Sequence, residues 1–246
     1  MAESRDILRR AGPAMRGLLE VRLGEEAERL ERSAEGRGAR EDWRALAEAL
    51  RSRLAGGTWT ARRGIEEKLL TGALREALGG RLDAEFLPEN AGAGRGRFPF
   101  ARTLRTARAA RLPWALVARV ADVHSNADHE TLEFALAGPP FWLERDIRGV
   151  VMEVTRAATG GKGIAPENAL ARLLGDVYLH GVDEFLAREG RVFRRAFDGL
   201  VVFCESRAQA ERTLAELGEH LRASRGLELS AAETKIRRRR AGFSAR

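Results

Sequence analysis

The sequence predicts an α+β fold built on a split β-α-β order, and three observations predict it. The apolar run Trp114–Val120 is continuous enough for a strand buried on both faces. Two further apolar runs, Val192–Phe197 and Leu200–Cys204, meet at Asp198-Gly199, a strong hairpin signal. Helical periodicity fills the stretch between the first strand and the hairpin and resumes after it. The sum is strand, helices, hairpin, helix, strand.

Before the first strand the chain reads as helical. Leu8, Met15, Leu18, Leu19 and Leu23 recur at helical spacing, and so do Trp43, Leu46, Leu50 and Leu54, with a break between them at Ser33–Arg40. Gly56-Gly57 marks the next boundary. Ile65–Leu78 is a further helix, Leu87–Arg97 a glycine-rich loop, and Phe100–Arg111 a short basic helix. Beyond the strand, helices are expected at His129–Ala137, Leu143–Ala158 and Glu167–Leu186. After the hairpin, Ser206 and Gln209 form a capping box, and the helix behind them shows Ala210, Leu214, Leu217 and Leu221 on one face. Gly226 ends it, and Leu227–Leu229 is expected as the last strand. The organisation expected is a helical extension over 1–57, an α+β domain over 58–236 and a basic tail over 237–246.

The 246 residues are enough to bury a core without metals or disulfides. With 44% hydrophobic and 32% charged residues, the chain falls in the globular class rather than the disordered one. The lone cysteine, Cys204, lies in an apolar run and reads as a structural thiol. It excludes an internal disulfide and suits a cytoplasmic location. No stretch approaches the length of a membrane span, so no membrane partner is expected. The net charge of +7 is carried almost wholly by arginine, since Lys68, Lys162 and Lys235 are the only lysines. Such a balance leans toward nucleic acid, although a GC-rich genome also writes arginine for lysine.

Several segments, in order, resemble the reverse transcriptases of bacterial retroelements, especially the group II intron type. Arg119–Leu132, ending Ala127-Asp128-His129-Glu130-Thr131-Leu132, resembles the first catalytic strand and its I-D-H-x-x-L ending. Gly163-Ile164-Ala165-Pro166, running on to Leu173-Leu174-Gly175-Asp176-Val177-Tyr178-Leu179-His180, resembles G-L-P-Q-G-x-x-x-S-P-L-L-A-N-L-Y-L-H. Arg195–Cys204 resembles the R-Y-A-D-D-F-V-V-F-C hairpin. Gly226–Ser230 with Glu233–Ile236 resembles G-L-x-L-N-x-x-K-T-x-I. Glu67–Leu74 and Phe86–Arg97 resemble two earlier family segments, so the likeness spans Glu67–Ile236. It implies a ferredoxin-like polymerase palm, with fingers and thumb reduced or absent.

The family's nucleotidyl transfer uses two divalent ions held by an aspartate on the first strand and two at the hairpin tip. The first of these positions is Arg119, and the hairpin pair is Asp198 and Gly199. Asp198 is thus the one retained motif carboxylate, as a metal ligand or as the Asp of an ordinary turn. Asp122 could substitute only if the strand end were rearranged, and Asp128 is a further acidic neighbour. His124 and His129 are too poorly spaced for a zinc pair. The resemblance therefore implies a catalytically inactive relative that binds RNA or DNA or docks a protein partner, with no cofactor. The alternatives are an active RNA-directed DNA polymerase using Mg2+ and a decayed retroelement fragment. Two basic groups are candidate phosphate contacts. Arg102, Arg105, Arg108 and Arg111 form an expected helical stripe, and Arg237, Arg238, Arg239 and Arg240 an expected tail.

Overall fold

The structure is a computed structural model that describes residues 13–32, 47–49, 65–91 and 100–239. The chain divides into two compact units. Of the described residues, unit one comprises 13–32, 47–49, 65–84, 133–161 and 165–171, and unit two 85–91, 100–132, 162–164 and 172–239.

In the first unit, helix α1 (Pro13–Arg32) packs against α2 (Ile65–Asp83). The packing follows from spacing: α1 buries Leu19, Leu23, Ala27 and Leu30, and α2 buries Leu70, Ala73, Leu74 and Leu78. Glu26 is also buried, held by Arg29, and Gly72 lets it in, because a Cβ there would collide with its carboxylate. Helix α2 runs past the expected stop at Leu78 because Leu82 is buried on the same face, which outweighs Gly79-Gly80. The helix expected near Trp43–Leu54 lies largely outside the described residues, of which 47–49 are helical.

The second unit is built on a four-stranded antiparallel sheet in the order β2-β3-β1-β4, the split β-α-β order expected. Its strands are β1 (Trp114–Arg119), β2 (Val192–Ala196), β3 (Gly199–Cys204) and β4 (Lys235–Arg238). Helix α3 (Phe100–Ala109) precedes β1, and α4 (Val123–Asn126) and α5 (His129–Ala137) follow it. Then come α6 (Arg145–Thr159), which with residues 133–137 of α5 belongs to the first unit, α7 (Ala171–Tyr178) and α8 (His180–Arg188), with α9 (Arg207–Arg225) after the hairpin. One sheet face buries Leu116, Ala118, Phe193, Leu200, Val202 and Cys204. Burial pushes the Cys204 thiol up, away from a reactive thiolate. Helix α9 packs on β1 and β3 and is capped as expected: Ser206 Oγ accepts from the Gln209 amide at 3.1 Å. Its C-terminal Gly226 takes φ 62°, the left-handed stop.

Four expectations are corrected. The single helix at Glu167–Leu186 is two, broken at Leu179. The hairpin loop is Phe197-Asp198 rather than Asp198-Gly199, because Ala196 pairs with Gly199 and Phe197 takes the positive φ of 54°. Leu227–Leu229 contributes only one bridge, Leu229 to Val120. The last strand is Lys235–Arg238, so Arg237 and Arg238 lie in a strand and not in a tail.

Candidate functional site

The other face of the sheet carries the site. Directly opposed residues of antiparallel strands share a face, so the pairings sort the side chains into rows. Arg194, Val201, Val117 and Lys235 form one row across all four strands. Val192, Phe203, Ala115 and Arg237 form the next, and α3 covers part of it through Leu104 and Ala107, with Leu112 just beyond the helix end. On the opposite side the row is Ala196, Gly199 and Arg119. Beyond α3 the face stays open as a cavity of about 610 Å³, lined by Phe100, Val117, Val201, Arg194, Lys235 and Arg237 and ending at Arg119, Asp198 and Glu233.

Arg119 reaches both carboxylates at that end. Its Nε is 3.8 Å from Asp198 Oδ2 and its Nη1 is 3.1 Å from Glu233 Oε1. Glu233 comes from a bulge. Val120 faces Leu229 and Val117 faces Lys235, so two residues of β1, 118 and 119, stand against five, 230–234. The Ser230 amide donates to the Arg119 carbonyl at 2.8 Å and pins the bulge there. Sequence reasoning missed Glu233, since extra residues in one strand are invisible until its partner is known.

The hairpin tip is held from below. The Arg195 guanidinium is fully buried with Asp176 and Asp183. It donates to Asp183 Oδ1 and Oδ2 at 2.8 and 2.7 Å, to Asp176 Oδ1 at 2.9 Å and to the Phe197 carbonyl at 2.7 Å. Burial disfavours this cation, but Asp183 and then Asp176 outweigh it and raise the guanidinium pKa above its ordinary value. Phe197 accepts its left-handed backbone because its ring stacks on His124 at 4.8 Å and rests on Gly175, where a Cβ would strike it. The sign in the sequence was charge at inward positions: Arg195 alternates with buried Phe193.

The remaining candidates scatter. Asp122 is exposed at φ 47°, beyond the end of β1, and lines a neighbouring cavity of about 340 Å³ that Asp198 and Glu233 also touch. Asp128 is occupied as a helix cap, its Oδ1 accepting from the Thr131 amide at 2.7 Å and hydroxyl at 2.8 Å. Those two donors, the amide first, hold its pKa below the ordinary carboxylate value. His124 Nδ1 and His129 Nε2 bond the carbonyls of Ile164 and Gly163. Arg102, Arg105 and Arg108 are exposed on α3, whereas Arg111 has left the helix at φ 53°. Arg239 donates its amide to Pro113, and Arg240 lies outside the described residues.

Arg119 and Gly199 offer no carboxylate beside Asp198, and no group of three His, Cys, Asp or Glu side chains that could hold a metal ion occurs among the described residues. No helix among them is long and apolar enough to cross a membrane.

The sheet order is the ferredoxin-like one, and solved structures with a similar fold include members of the reverse transcriptase family. Two apo telomerase structures from Candida tropicalis are similar, and telomerase is a reverse transcriptase family member. The first has a TM-score of 0.53 at 12% identity, covering 71% of this chain and 38% of that one. The second, truncated from its C-terminal domain, has a TM-score of 0.51 at 13% identity, covering 86% of this chain and 47% of that one. The chain thus spans less than half the length of the telomerase chains it matches. No family model and no curated protein matches the sequence.

Proposed function

We propose that this chain is a reverse-transcriptase-like protein of the bacterial retroelement type that holds RNA or DNA without polymerising it. The observation that carries the reading is the pairing of Arg119, which the resemblance aligns with the family's first carboxylate, with both Asp198 and Glu233. A divalent ion there would meet a fixed positive charge. Within ~4 Å, at an effective dielectric near 20, one such unit-charge pair costs ~4 kcal/mol, and a divalent ion feels about twice that. The carboxylates that would offset the repulsion are paired with the guanidinium instead, at 3.8 and 3.1 Å. The cavity beside them keeps Arg194, Lys235 and Arg237 along an apolar floor, a lining suited to phosphate rather than to metal. The net charge of +7 favours the same ligand.

The test is primer extension on an RNA template with Mg2+ or Mn2+, run beside a binding titration of the same primer-template. Binding without incorporation is expected. Incorporation that Asp198→Asn abolishes would establish an RNA-directed DNA polymerase instead. No binding at low salt would remove the nucleic-acid reading, and a chain without a cooperative thermal transition would point to a decayed fragment.

A further inference from the structure

We propose that Arg194 and Lys235 form a phosphate-binding site on the open sheet face, and that its ligand is a phosphodiester group of a nucleic-acid strand. The inference rests on the nucleic-acid reading above and adds to it the place and the residues.

Three neighbouring arginines on β1 and β2 differ in one respect. Arg195 is saturated by two buried aspartates and Arg119 by two carboxylates at the cavity end. Arg194 has no ion pair or hydrogen bond among the described residues, although its Nη1 is buried away from solvent. Desolvation alone lowers its pKa, with no opposing charge to raise it. A half-buried cation whose Nη1 has neither water nor an acceptor is offered one by an arriving anion.

The row geometry states where that anion sits. Arg194 and Lys235 lie at opposite edges of the sheet, three strand spacings of about 4.8 Å apart. Between them the floor is Val201 and Val117, which offer nothing to compete for a phosphate. Lys235 is exposed and without an ion pair among the described residues, and Arg237 stands one row on. Long basic side chains can lay their stems on such a floor and bring their heads together. A planar guanidinium takes two phosphate oxygens at once, and an ammonium from the other side supplies a point charge. The acidic groups of the cavity, Asp198 and Glu233, are engaged by Arg119 at its far end. A volume of about 610 Å³ accommodates a nucleotide unit around that phosphate.

The experiment uses the full chain and two probes, a labelled oligo(dT) followed by fluorescence anisotropy and inorganic tripolyphosphate followed by thermal melting. Arg194→Gln is expected to weaken oligo(dT) binding about ten-fold and to make its salt dependence shallower by about 0.7 in log–log slope. Arg222→Gln, an exposed change on α9, should stay within about two-fold of the parent. Without ligand, Arg194→Gln should melt no lower than the parent, because no side-chain ion pair or hydrogen bond among the described residues is lost. Tripolyphosphate should protect the parent and not the variant. Oligo(dT) affinity equal to that of the parent overturns the proposal. So does a lowered melting temperature with tripolyphosphate protection intact, which would give Arg194 a structural role. Lys235→Gln supplies a second variant, with the same loss expected. If oligo(dT) fails to bind while tripolyphosphate protects through Arg194, the phosphate site stands and the nucleic-acid reading falls. If neither probe acts on the parent, both fall.

Discussion

Two arginine clusters in the second unit use the same chemistry to opposite ends. Arg195 and Arg119 each bridge two carboxylates, and the two clusters meet at the hairpin tip, where Arg195 holds the Phe197 carbonyl and Asp198 follows in the chain. The Arg195 cluster is dry: the guanidinium, Asp176 and Asp183 are all fully buried. The Arg119 cluster is wet, with side chains of Arg119, Asp198 and Glu233 exposed by 50%, 29% and 51%. In the dry cluster the one guanidinium must serve both carboxylates, because a bare buried charge has no water to fall back on. In the wet cluster solvent screens each pair, so the contacts can be exchanged at little cost. The first is therefore part of the scaffold, and the second is a place where charge can change without loss of the fold.

Substitutions can break that contrast. Arg195→Ala leaves two buried carboxylates facing each other and should cost about 3–5 kcal/mol, read by denaturant unfolding. A cost near zero would mean that water reaches the cluster. Gly175→Ala drives a methyl into the Phe197 ring, which joins the two clusters, and about 1–3 kcal/mol is expected. Asp128→Ala, at a carboxylate held by neutral donors, should cost about 1 kcal/mol at neutral pH. Its folded pKa is depressed, so its contribution is present above the unfolded value of about 3.9 and lost as pH falls through the folded one. The gap between parent and variant should therefore close in strong acid. Arg119→Ala should change stability least, by about 0–1 kcal/mol. Its companion Arg119→Asp sharpens the comparison further. With three carboxylates at the cavity end, it should bind Mn2+ at least about ten-fold more tightly than the parent in calorimetry, and Glu233→Gln in the same chain should reverse the gain. Equal Mn2+ binding by the parent would show that Arg119 does not stand where a cation would.

The sequence by itself determined the elements whose signals are local. The α9 cap at Ser206, its stop at Gly226 and the apolar strands Trp114–Arg119 and Gly199–Cys204 follow from side-chain propensities and periodicity. Only the tertiary structure decided the rest. Glu233 joined the site because β4 is out of step with β1 by a bulge, and register depends on two strands at once. Phe197 rather than Gly199 took the left-handed turn because His124 and Gly175, distant in sequence, make room for its ring. Arg194 and Arg195 are adjacent in sequence, yet one is saturated with carboxylates and the other is not. Pleating sends successive side chains to opposite faces, and the faces were built by different parts of the chain.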